Sequence, residues 1–138
     1  MLSAVANLRV RGRLERDVKL APLTSWRVGG PADWLFEPED ADDLAYFLAA
    51  IPESLPRTVL GLGSNVLIRD GGIEGVVIHL AGCLNQRLRV DPDRVELGAG
   101  LACAQAARFC ANEALTGAEF LAGIPGTVGG ALAMNAGA

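Results

Sequence analysis

Two stretches of this sequence have the residue types and spacing to hold a charged, planar ligand. The first is Gly61-Leu62-Gly63-Ser64-Asn65-Val66-Leu67-Ile68. Glycines at i and i+2 allow a tight turn with positive φ and leave no Cβ in the way. Successive backbone N–H groups can then face one concavity and bind an anion. Ser64 and Asn65 add side-chain donors, so the stretch suits a diphosphate. It is not a P-loop, because no Gly-Lys-Ser/Thr follows. Nor is it a dinucleotide fingerprint, because position 66 is valine and a short strand, not a helix, is expected next. An ordinary turn is the competing reading of the same residues.

The second stretch runs from Gly123 to Gly137, and the chain carries no charge after Glu119. Gly123-Ile124-Pro125-Gly126 reads as a rigid turn, since proline locks φ. Val128–Met134 reads as a short helix with Thr127 as its N-cap. Its first N–H groups are expected to be unpaired and to offer a second anion or carbonyl site. Small residues at 126, 129, 130, 131 and 133 leave a flat backbone surface on which a planar ligand could lie. Close helix packing is the alternative use of such residues.

The elements that must position these stretches are short. Residues 1–19 read as an extended, basic lead-in. Gly29-Gly30-Pro31 signals a turn, and Asp33–Glu37 a strand. Residues 40–53 read as a helix capped by Asp40, with Asp43 in a capping-box position, Leu44, Leu48 and Ile51 as the buried stripe, and Pro52 as the stop. Thr58–Leu60 reads as the strand before the glycine loop. Val76–Leu80 is a continuous apolar run, as in a strand covered on both faces, with His79 as a core or sheet-face residue. Residues 85–100 alternate around Asp91-Pro92-Asp93 and predict a β-hairpin. Residues 101–115 predict a second helix, with Cys103, Ala107, Cys110 and Ala114 as a seam of small side chains against a sheet.

At 138 residues the chain is one domain at most. Hydrophobic residues make up 51% and charged residues 20%, which excludes a disordered chain. A net charge of -4 disfavours nucleic acid as a partner. No continuous apolar helix of spanning length is expected, and no secretory signal, so no membrane partner is read. Cys83, Cys103 and Cys110 form no C-x-x-C pair, and His79 is the one histidine, so no metal site is expected. Free thiols fit a reducing cytoplasm.

Taken together, "TSWRVGGPAD", "LGLGSNVLIRDGGIEGVVIHL", "GAGL" and "FLAGIPGTVGGALAMNAGA" resemble the UDP-N-acetylenolpyruvoylglucosamine reductase (UDP-N-acetylmuramate dehydrogenase) family. These are bacterial flavoenzymes of peptidoglycan precursor synthesis. The resemblance covers about residues 20–138 and implies an α+β FAD-binding domain of the vanillyl-alcohol oxidase (PCMH) type. It implies FAD as cofactor, NADPH as co-substrate and a small nucleotide-sugar as substrate. It places the FAD diphosphate along Gly61, Leu62, Gly63, Ser64, Asn65, Val66 and Leu67. It sets Gly123, Ile124, Pro125, Gly126, Thr127, Gly129, Gly130, Ala133, Asn135 and Gly137 along the diphosphate and flavin ring, with Trp26 and Val28 nearby.

In that family NADPH reduces FAD, and hydride then passes to the enolpyruvyl ether of the sugar nucleotide. A serine protonates the neighbouring carbon, and an arginine and a glutamate assist. None of those three has a counterpart in this sequence, so no catalytic residue is assigned, and Arg27, Arg69 and Arg87 read as surface or loop-anchoring residues. The motif around Gly137 usually continues further, so the chain is expected to be a truncated, inactive FAD-binding portion, marginal in stability or prone to associate. The alternatives are another flavoprotein oxidoreductase of the same fold and a non-catalytic nucleotide-binding module.

Overall fold

The computed structural model describes residues 5–137. Its centre is a four-stranded sheet with the order β1-β2-β4-β3. Strand β1 is Arg13–Lys19, β2 is Pro31–Glu37, β3 is Arg57–Leu60 and β4 is Ile73–His79. β1 pairs antiparallel with β2, while β4 lies parallel to both β2 and β3. The second half of the extended lead-in is therefore an edge strand of this sheet. A hairpin of β5, Arg87–Asp91, and β6, Arg94–Leu97, turns at Pro92-Asp93 as the alternation predicts.

Each face of the sheet has its own core. Trp34, Phe36, Val76 and Ile78 point to one side, where Phe47 of helix α1, Ala41–Ala50, and Ile51 just beyond its end cover them. Phe36 and Phe47 stack with ring centroids 4.1 Å apart. Leu35 and Val77 point to the other side, against Leu20, Leu60 and Ile68. The β2–β4 register shifts between Ala32 and Trp34, and at that break the Gly75 N–H donates to Asp33 Oδ2 at 2.9 Å. The shift puts Ala32 on the Leu35 side despite its even number.

Four expectations need correction. The α1 stripe centres on Asp43, Phe47 and Ile51, whereas Leu44 and Leu48 are only half-buried at its margin. The large Phe47 ring fills the space over Phe36, so the helix turns toward it. Asp43 does not close a capping box on Asp40. It accepts instead from the N–H groups of Arg11 at 2.8 Å, Gly12 at 2.9 Å and Glu39 at 3.1 Å, while Asp40 caps the helix by accepting from Asp43 N at 2.9 Å. Helix α2, Cys103–Asn112, buries Cys103, Ala106 and Cys110 rather than Ala107 and Ala114. It packs on a 3-10 turn, Glu119–Gly123, and on the last helix rather than on a sheet. Ala114 already lies beyond the helix, at φ 56. Finally, the segment after the glycine loop makes no strand ladder; Ile68 is held by burial and Arg69 by a bond from Gly30 N to its carbonyl at 2.9 Å.

Asp43 joins the N-terminal segment to the helix. Burial pushes its carboxyl up, but the backbone donors of Arg11, Glu39 and Gly12 and the Arg11 charge outweigh that and hold it below the ordinary carboxylate value. Replacing Asp43 by alanine should cost about 3 kcal/mol in urea unfolding, because three part-buried N–H groups lose their acceptor. Since the folded-state carboxyl is held low, its stabilisation is complete above the unfolded pKa of about 4 and fades as pH falls below that. The Asp43→Asn variant should show a shallower loss of stability through the same acid range.

The three cysteines are free; Cys103 and Cys110 are buried and Cys83 is half-buried. Burial pushes the Cys83 and Cys103 thiols up, away from the reactive thiolate. A disulfide reagent should titrate at most Cys83 in the native protein and all three thiols in denaturant. Rapid native labelling of Cys103 or Cys110 would contradict this packing.

Candidate functional site

The last helix, α3, is Val128–Ala133, with Thr127 as its N-cap accepting from Gly130 N at 3.2 Å. Thr127 is buried, and its backbone forms an antiparallel bridge to Ala102. A Cβ on Gly61 would meet the Thr127 Oγ1 at 2.7 Å, so only glycine lets the end of β3 approach this cap so closely. Gly63 sits at φ 65, and a Cβ there would run into the carbonyl oxygen of Leu23. These two glycines therefore serve the approach of three chain segments. Ser64 completes the junction, its hydroxyl donating to the Pro125 carbonyl oxygen at 2.6 Å across 61 residues of sequence.

Between the two glycine stretches lies a cavity of about 360 Å3. Of the residues expected from sequence, it gathers Gly61, Leu62, Gly63, Ser64, Asn65 and Val66 from one side. From the other come Pro125, Gly126, Thr127, Gly130 and Ala133. Ala131, expected among the small residues of the flat surface, lines it too, whereas Val59, Leu60, Met134 and Ala136 line it and were missed. Residues 127, 130, 131 and 134 share one face at helical spacing, which is the signal that would have found Met134.

Other expected residues stand elsewhere. Gly123 ends the 3-10 turn, Ile124 is buried, and Leu67, Asn135 and Gly137 are exposed outside the cavity lining. Gly129 packs against Ala99. Trp26 and Val28 are exposed, on a segment that borders a second cleft. That cleft is lined by Ser25, Arg27, His79 and Ala81 among others, and Leu62 faces both spaces.

The donor pattern corrects one expectation and sharpens another. The N–H groups that open α3 are not unpaired: Val128 N donates to Leu101 O at 2.8 Å, Gly129 N to Ala99 O at 2.9 Å, and Gly130 N to Thr127 Oγ1. That helix start is fastened to the chain before α2 and is no anion site. By contrast, the N–H groups of Leu62, Gly63, Ser64 and Asn65 have no protein acceptor among the described residues. No charged side chain lines the cavity, so no carboxylate opposes an incoming diphosphate. The other wall is small and apolar, apart from the larger, exposed Met134. A loop of available donors facing a flat apolar floor suits a ligand that joins a diphosphate to a planar ring.

Among the described residues no group of three His, Cys, Asp or Glu side chains could hold a metal ion, and no helix is long and apolar enough to cross a membrane. His79 is the buried sheet residue that the apolar run implies, with Nδ1 2.7 Å from Glu37 Oε1.

The chain resembles proteins of known name. It is 57% identical to UDP-N-acetylenolpyruvoylglucosamine reductase of Nitrosococcus oceani over 99% of its own length and 46% of that protein. It is 55% identical to the enzyme of the same name from Methylococcus capsulatus, over 93% of this chain and 42% of the relative. The crystal structure of UDP-N-acetylenolpyruvylglucosamine reductase from Thermus caldophilus matches with a TM-score of 0.73 and 38% identity, over 92% of this chain and 44% of that one. The chain thus spans less than half the length of these relatives. Residues 32–138 match the family described as FAD binding domain, which takes in β2, both glycine stretches and the cavity between them. On that match the chain belongs to the FAD binding domain family.

Proposed function

We propose that this chain is the FAD-holding part of a reductase that uses NADPH to convert UDP-N-acetylglucosamine enolpyruvate to UDP-N-acetylmuramate in the cytoplasm. The observation that carries the reading is the cavity closed by the Ser64–Pro125 bond, with unused donors on one wall and an uncharged floor on the other. The shared name of the relatives, a reductase of UDP-N-acetylenolpyruvoylglucosamine, supports the substrate and the reductive direction. Residues 20–138 form the FAD-binding unit, and the lead-in of residues 1–19 contributes β1 to its sheet.

When bound, FAD supplies hydride transfer. This chain's part is to bind and orient. Leu62, Gly63, Ser64 and Asn65 offer backbone N–H groups to the diphosphate, the Ser64 hydroxyl ties that loop to Pro125, and α3 presents Gly130, Ala131 and Ala133 to the ring. No residue here is assigned to proton transfer. The serine, arginine and glutamate of the reaction have no counterpart in this sequence.

Titration of the purified chain with FAD, followed by flavin fluorescence, should saturate at one equivalent. Ser64→Ala removes the strap between the glycine stretches and should weaken FAD about tenfold, the worth of one good hydrogen bond. Gly61→Val should weaken it more, because the added side chain displaces Thr127 from the cavity wall. A folded chain that takes up no FAD, or a Gly61→Val variant that binds it normally, would refute the assignment.

A further inference from the structure

A cleft of about 360 Å3 lies between β5 and α2, and it shares no lining residue with the cavity between the glycine stretches. Arg87 lines it from β5, and Gln105, Arg108, Phe109 and Asn112 line it from α2. The four helix residues stand at i, i+3, i+4 and i+7, so they form one stripe along α2, about 10 Å long. That stripe is turned away from Cys103, Ala106 and Cys110, the buried side of the helix. The strand is strapped to the helix beside it. Arg89 Nη1 donates to the Glu113 carbonyl oxygen at 2.8 Å and lies 3.6 Å from the Glu113 carboxylate. Arg87 precedes Arg89 by two on β5 and projects to the same side of the hairpin, facing the stripe across the cleft.

The charges in this cleft are uncompensated. Arg89 is held by Glu113, and Arg94 by Asp91 at 2.7 Å. Arg87 and Arg108, by contrast, make no hydrogen bond or ion pair among the described residues, and no carboxylate lines the space they face. The carboxamides of Gln105 and Asn112 are likewise without partners among the described residues. Phe109 is half-buried between them, one helical turn from each. The chain as a whole carries a net charge of -4, so the pull on an anion here is local to the arginine pair.

We infer that this cleft binds a nucleoside monophosphate. Arg87 and Arg108 take the phosphate from two elements, pairing with oxygens that no other group in the cleft opposes. The Phe109 ring offers a stacking surface to the base. Gln105 and Asn112 each bring a carbonyl acceptor and an amino donor to the base edge or the ribose. The volume is that of a small-molecule site. Free phosphate engages the arginines alone, so the aromatic and amide contacts set the gap in affinity between a nucleotide and inorganic phosphate. The inference stands independently of the FAD reading.

The 15N-labelled chain should be titrated with AMP, UMP and inorganic phosphate, following backbone amide resonances. At least one nucleotide should bind about tenfold more tightly than inorganic phosphate, with shifts concentrated in residues 87–89 and 105–112. Arg87→Ala and Arg108→Ala, both at exposed positions, should each weaken that nucleotide about tenfold, and Arg108→Glu should abolish its binding. Phe109→Leu should bring the nucleotide down toward inorganic phosphate while phosphate itself changes less than about twofold. Should that variant not fold, the surface arginine variants still decide. Nucleotides held no more tightly than inorganic phosphate, affinity unchanged in Arg108→Glu, or shifts confined to residues 61–66 and 125–136 would each overturn the inference.

Discussion

The contact between Gly61 and Thr127 is the constraint on which the site depends. A hydrogen atom in place of a side chain at position 61 lets the end of β3 come against a buried helix cap. That cap is committed three ways: its hydroxyl takes Gly130 N, its carbonyl takes Ala131 N, and its backbone bridges to Ala102. Thr127 cannot yield without loosening α3 and the start of α2 together. The position of the floor relative to the loop is therefore set by backbone and one methyl-sized neighbour, not by adjustable long side chains. Packing of this kind resists small displacements, as interiors at close-packed density do.

The same economy appears on the far side of the sheet. Phe47 over Phe36 and the three donors on Asp43 hold α1 and the N-terminal segment against β2 and β4. One face of the sheet is thus closed by a helix. The other is closed by loops, and it is among loops that backbone donors remain available for a ligand.

Much of this was legible in the residues. The apolar run at Val76–Leu80 marked the central strand, Asp91-Pro92-Asp93 marked the hairpin, and Thr127 marked a helix start. The clustering of glycines located both walls of the cavity. What escaped reading was set by tertiary contacts. Periodicity alone favoured Leu44 and Leu48, yet only the aromatic partner on β2 decides that Phe47 goes in. The first N–H groups of α3 looked free because their acceptors, Leu101 and Ala99, lie more than a local turn away. Val66–Ile68 has strand-forming residues but no neighbouring strand edge to join. His79 read as a core or sheet-face residue, and it is buried, but its pairing with Glu37, 42 residues away in sequence, had no local signal.

The strand order has a consequence for how the chain assembles. β4 lies between β2 and β3, although it follows both in sequence. Until β4 has been synthesised and inserted, β3 has no partner, and only the β1–β2 pair can form in the main sheet. Residues 61–72 are the connection that this insertion closes. Their conformation is thus an outcome of completing the sheet, and an emerging chain has no glycine loop of defined shape until its central strand, the last of the four to be made, is in place.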